Sequence, residues 1–201
     1  MQDLQKQKLQ NTYFAMRHGQ SEANVAGIIA SDPAIGCNKY GLTDIGKQQA
    51  AQSVQNTVEL KSEVRIIGSD FLRTKETAEI AYRLLQTKYP IQYSTQLRER
   101  FFGELNGLGD HHYQDVWTLD KANANHRKYD VESANQVVAR ASTLITQLEE
   151  QFTGETFLLV AHGDVLQLLQ TWFNNVPARE HRELPHLTTA EIRCLNSPPN
   201  K

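Results

Sequence analysis

The most constraining stretch of this 201-residue chain is "TFLLVA", residues 156–161, with five apolar side chains in an unbroken row. A strand with one wet face alternates apolar and polar residues. An unbroken run needs apolar cover on both faces, as at the centre of a parallel sheet with helices on either side. The rest of the chain offers that cover. "TYFAM" (12–16), "VRIIGS" (64–69), "IQYS" (91–94) and "AEIRCLN" (190–196) read as further strands. Thr43 is an N-cap for "TDIGKQQAAQSVQNTV". Residues 70–89 form a second helix, with Phe71, Leu72, Ala78, Ala81 and Leu85 on one face. Residues 132–152 are the clearest amphipathic helix, stopped by Gly154, and 164–173 follow as another. Strands alternating with helices predict an α/β sandwich around a mostly parallel sheet, in one domain over 1–201. Residues 17–42 read as a long functional loop and 97–130 as loops with short helical pieces. Residues 1–11 read as a loose lead-in, and "SPPNK" (197–201) as terminal punctuation.

Composition narrows the partners. Net charge is −2, with 39% hydrophobic and 22% charged residues. Without a basic excess, neither nucleic acid nor an anionic membrane is an expected partner. A small anion still fits, because a few local arginines outvote the global charge. The longest apolar runs are too short to span a bilayer. The N-terminus "MQDLQKQKLQN" lacks the apolar core of a secretory signal. Cys37 and Cys194 form no CxxC pair and no metal-ligand spacing, so they read as free thiols in a reducing compartment. The expectation is a cytoplasmic protein without a metal centre. The sequence leaves the oligomeric state open.

Three polar clusters each follow a strand: Arg17-His18-Gly19, Ser69-Asp70 with Arg73, and His162-Gly163. A parallel sheet brings strand ends to one rim, where ligands bind in such folds. Two histidines and two arginines would converge there. Such a pocket suits a phosphoryl dianion, which the arginine fork matches with paired hydrogen bonds. Gly19 and Gly163 let backbone N–H groups approach it, at the possible start of a helix. Each cluster alone is unremarkable; their combination at three strand ends is what points to chemistry. Glu99, in "LRERFFGELNG" (97–107), has two readings. It is a surface partner of Arg98 or Arg100, or a general acid whose proton is retained beside a bound phosphate.

The chain resembles the histidine phosphatase superfamily, which includes the cofactor-dependent phosphoglycerate mutases. The resemblance rests on "RHGQSEAN" (17–24), "LTDIGKQQA" (42–50), "SDFLRTKETA" (69–78), "LRERFFGELNG" (97–107) and "LLVAHGD" (158–164), in family order. It implies a three-layer, phosphoglycerate mutase-like fold. It implies that His18 takes the phosphoryl group and that Arg17, Arg73 and His162 clamp it. Ser21 and Asn24, with Gly19 and Gly163, would add contacts to phosphate, and Glu99 would protonate the leaving group. No metal or other cofactor is implied. The partner would be a small phosphorylated substrate.

Phosphatase and mutase share this core. The segment 108–131 is short and carries Lys121, Arg127 and Lys128 without an adjacent arginine pair for a substrate carboxylate. That favours the phosphatase. His111, His112, Tyr113 and Trp117 are candidates for the pocket mouth, with a solvated loop as the alternative for the two histidines. A zinc site on His111 and His112 is disfavoured for want of further ligands. A non-catalytic phospho-ligand module would have lost His18 or Glu99. A metal-dependent hydrolase would be silenced by a chelator.

Overall fold

Five strands form one sheet in the order β3-β2-β4-β1-β5, described by a computed structural model over residues 9–196. β1 is Thr12–Arg17, β2 Arg65–Gly68, β3 Gln92–Tyr93, β4 Thr156–Ala161 and β5 Ile192–Cys194. β4 lies at the centre, parallel to both β1 and β2. β2 and β3 are parallel, and β5 closes the far edge antiparallel to β1.

Side-chain alternation along the inner strands feeds two cores. Tyr13, Ala15, Phe157, Leu159 and Ala161 point to one face, and Phe14, Met16, Leu158 and Val160 to the other. The second face is covered by α3 (Asp44–Asn56) and α4 (Leu72–Leu85) through Ala50, Val54, Ala78 and Ala81. The first is covered by α6 (Ala134–Gln151) and α7 (Gly163–Asn174) through Leu144, Ile145, Leu166 and Leu169. Residues 157–161 of β4 are all buried, each large apolar side chain contributing about 1.5–3 kcal/mol. The helix that follows β1's long loop packs on one face, and the helix that follows β4 packs on the other. The adjacent carboxyl ends of β1 and β4 therefore open a crevice at the switch point between the two faces.

Several expected boundaries move. Thr43 caps α3 by accepting from the Gly46 N–H, and Ser133 opens α6 with a full capping box. The helix read over 70–89 contracts to Leu72–Leu85, ending where Gln86 turns to a φ of 50°. The third strand shrinks to two exposed edge residues. The loop 17–42 contains two short helices, α1 (Glu22–Ala26) and α2 (Pro33–Gly36). The segment 97–130 holds, besides 3-10 turns, a ten-residue helix α5 (Tyr113–Ala122). Its buried positions are Val116 and Asp120, so a carboxylate interrupts the apolar stripe that sequence periodicity needs. The described end of the lead-in is tied down: Gln10 and Asn11 bond to Glu149, and Leu9 packs on the core. Residues 1–8 and "SPPNK" lie outside the described residues. Among the described residues, no helix is long and apolar enough to cross a membrane.

Candidate active site

The three polar clusters meet at the crevice between β1 and β4. Arg17 is the last residue of β1, and the His18 N–H continues the pairing by donating to the Ala161 carbonyl at 3.0 Å. His18 is buried. Its Nδ1 lies 2.7 Å from the Gly19 carbonyl, which only accepts, so Nδ1 carries the proton. Its Nε2 lies 3.2 Å from Arg73 Nε, which only donates, so Nε2 carries the lone pair. The two partners fix one tautomer. Burial, then Arg73 and Arg17, hold the His18 imidazole well below the usual histidine range, so it stays neutral.

Arg73 enters from the first turn of α4, whose inner face there is polar: Arg73, Thr74 and Thr77. Its guanidinium donates to the Ala30 carbonyl at 3.0 Å and reaches Glu99 Oε2 at 3.4 Å. Arg17 donates to the Leu187 carbonyl at 3.0 Å and to His186 Nε2 at 2.9 Å. His162 stands edge-on to His18 with ring centroids 5.4 Å apart. Its Nε2 pairs with Ser69 Oγ at 3.0 Å, and its Nδ1 is 3.5 Å from Glu99 Oε2. Burial, then Arg73, hold it neutral as well. Arg17 Nε, Arg73 Nη1 and His162 Nδ1 are buried and have no hydrogen-bond partner among the described residues. Three unpaired nitrogens from three elements suit an anion with several oxygens.

Glu99 is 9% exposed and faces this cluster. It accepts the Arg100 N–H at 3.0 Å. Burial pushes its carboxyl up to about 7 against the pull of Arg73, and Asp164 adds to the rise. The surface ion-pair reading therefore fails: Arg98 pairs with Asp70, and Arg100 reaches inward to Asp120.

A cavity of about 200 Å³ opens over these groups. Arg17, His18, Ser21, Asn24, Arg73, Glu99 and Gly163 line it; Gly19 and His162 lie outside its lining. Ser21 and Asn24 hold each other in the capping box of α1, Ser21 Oγ donating to Asn24 Oδ1 at 3.0 Å. Gly163 lets the Arg17 side chain approach closely: a Cβ there would sit 3.1 Å from Arg17 Nε and push it by a few tenths of an ångström. Tyr113 and Trp117 form a wall, stacked at 5.5 Å, as the mouth reading expected. His111 and His112 do not line the cavity; His112 pairs with Asp115 and stacks on His111. Asp70, set with Ser69 by sequence, is spent on Arg98.

Asp110, Asp164 and His186 line the cavity without having been singled out. Asp164 follows the second His-Gly directly and could have been suspected from that place. His186 follows no strand and carries no motif. Among the described residues no three His, Cys, Asp or Glu side chains are grouped to hold a metal ion.

A profile of the histidine phosphatase superfamily (branch 1) matches residues 13–201. The chain belongs to that superfamily. Its relatives include both activities weighed above. A metal-independent phosphoserine phosphatase of Arabidopsis thaliana is 26% identical over 160 residues, 77% of this chain and 65% of the relative. A 2,3-bisphosphoglycerate-dependent phosphoglycerate mutase of Bartonella quintana is 27% identical over 168 residues, 79% of each chain. The fold is shared with a mycobacterial glucosyl-3-phosphoglycerate phosphatase solved with VO3. That likeness has a TM-score of 0.76 and 22% identity over 91% of this chain and 90% of the other.

Proposed function

We propose that this superfamily member is a metal-independent phosphomonoesterase that works through a phosphohistidine on a small phosphorylated metabolite. The observation that carries the reading is the fixed His18 tautomer. Nε2 carries its lone pair toward Arg73, whose 3.2 Å hydrogen bond to it must be released as the phosphoryl group arrives, and the unpaired Arg17 and Arg73 nitrogens beside it can take the phosphoryl oxygens. His18 Nε2 attacks phosphorus and the ester P–O bond breaks. Glu99, still protonated near neutral pH, gives its proton to the departing alkoxide. Arg17 and Arg73 neutralise charge on the transferring group, and the neutral His162 beside them has its unpaired Nδ1 to offer as a hydrogen-bond donor. Water then attacks the phosphohistidine, its proton passes to Glu99, and inorganic phosphate leaves with both residues restored.

Hydrolysis is favoured over the mutase reading by what the insertion brings to the cavity. Lys121 pairs with Glu183, Arg127 with Asp130, and Lys128 lies over Tyr129; none lines the cavity. A phosphoglycerate carboxylate would find no cationic partner from that segment.

The test is acid-quenched trapping during turnover of 4-nitrophenyl phosphate in EDTA, read by mass spectrometry, with a coupled mutase assay alongside. Acid-labile phosphate on His18, and no turnover by His18→Ala, is expected. Turnover surviving in His18→Ala, or lost to EDTA, would overturn the mechanism. Mutase turnover exceeding hydrolysis would overturn the phosphatase assignment.

A further inference from the structure

Directly behind the cavity wall lies a buried ionic cluster that the proposed chemistry does not use. Arg100, fully buried, donates to both oxygens of Asp120 at 2.7 and 2.9 Å. The same guanidinium reaches Asp164 at a longer 3.4 Å. Asp164, in the first turn of α7, also accepts the Trp117 indole N–H at 2.8 Å. His181 Nε2 stands 3.8 Å from each carboxylate and has no hydrogen bond among the described residues. One guanidinium thus serves two carboxylates, and its better geometry goes to Asp120. Asp164 is the under-compensated one, and it is the one that lines the cavity together with Glu99.

We propose that Asp164 is a positioning residue for the reaction: its carboxylate, held between Arg100 and Trp117 on the cavity it shares with Glu99, adds to burial in keeping Glu99 in the acid form, and its oxygen pins Trp117 in the cavity wall. The inference rests on Glu99 being the proton donor. The charged and titratable groups that bond to Glu99 or line the cavity with it are Arg17, His18, Arg73, Arg100, Asp110, Tyr113, His162, Asp164 and His186. Arg73, Arg17 and the Arg100 N–H favour its carboxylate, the histidines are held neutral, burial raises the tyrosine hydroxyl far out of range, and Asp110 is exposed, where water screens it. Asp164 is therefore the one buried charge in that set that opposes ionisation, in a setting where low polarity lengthens its reach. Its hydrogen bond fixes the wall as well. Trp117 carries the Arg182 guanidinium 3.7 Å over its ring and Tyr113 stacked beside it, so the indole N–H sets where three side chains lie.

Two variants separate the roles. Asp164→Asn removes the charge and keeps an oxygen for Trp117; Asp164→Ala removes both. The readout is the ratio of kcat/KM for an alkyl phosphate to that for 4-nitrophenyl phosphate, followed from pH 5.5 to 9. Asp164→Asn should move the alkaline bend of that ratio down by about one pH unit, with KM changed little. Asp164→Ala should move the bend equally and raise KM about tenfold by loosening the wall. Asp164→Glu, which keeps the charge, should leave the bend in place. A merely structural role would lower kcat for both substrates in parallel and leave the bend unmoved, which would overturn the inference. Asp164→Ser, smaller and neutral, gives the same test if the amide variant does not fold. A wild-type ratio without a bend would overturn the Glu99 reading and this inference with it. A wild-type bend that stays put in Asp164→Asn would overturn this inference alone.

Discussion

Raising the pH from 6 to 9 should strip the proton from Glu99 and with it the hydrolysis of alkyl phosphates, while aryl phosphates are spared. With its carboxyl at about 7, Glu99 is roughly nine-tenths protonated at pH 6 and about one-hundredth protonated at pH 9. An alkoxide needs that proton to leave, so kcat/KM for an alkyl phosphate should fall about 100-fold over the interval. A nitrophenolate leaves without help. Each profile is first corrected for its own substrate's second phosphate ionisation, which is lower for the aryl ester, so the ratio that remains isolates Glu99. The sign for stability runs the same way. Glu99 titrates higher in the fold than its ordinary 4.5, so its contribution is complete below 4.5 and is lost as pH rises through about 7. The full loss is about 3 kcal/mol, and melting curves at each pH show whether the chain remains folded. Glu99→Gln should lower the alkyl rate by about 10²–10⁴ with less than a tenfold change for the aryl substrate. Alkyl and aryl profiles falling in parallel, or equal losses in the variant, would refute the assignment of the proton.

Two further outcomes concern the frame around the site. Arg100→Met should cost about 3–5 kcal/mol in urea unfolding at pH 7, because Asp120 and Asp164 would be left buried without their cation; a cost under 1 kcal/mol would show that the carboxylates find other partners. Gly46→Ala should lower the melting temperature and kcat together, because the new Cβ would overlap the Gln20 carbonyl and push the loop holding His18, at about 1–3 kcal/mol. An unchanged melting temperature would mean that the first turn of α3 yields without moving that loop.

Much of this protein was set by sequence order alone. The unbroken apolar run of β4 demands cover on both faces, and the alternation of strand and helix supplies it, so the α/β sandwich and the rim of strand ends were legible before any coordinates. Arg17, His18, Arg73, Glu99 and His162 were legible for the same reason: each sits in a short motif after a strand, and the topology leaves them one place to meet. What sequence did not determine depends on contacts between distant segments. Arg100 looked like a surface charge beside Glu99, yet it is buried because α5 and α7 each bring it a carboxylate. His111 and His112 read as either pocket-mouth or solvated-loop residues; the 3-10 turn before α5 leaves them off the cavity, and α5 presents Tyr113 and Trp117. His186 reaches the cavity because the segment before β5 folds back against Arg17 at the end of β1, whereas Asp164 shares the strand end of His162 and Gly163. The tautomer of His18 is likewise tertiary, since one partner is its neighbour Gly19 and the other, Arg73, lies 55 residues away. Periodicity and local motifs report where a chain buries its apolar faces; which polar atoms then face each other is decided by packing between elements, and no local pattern encodes it.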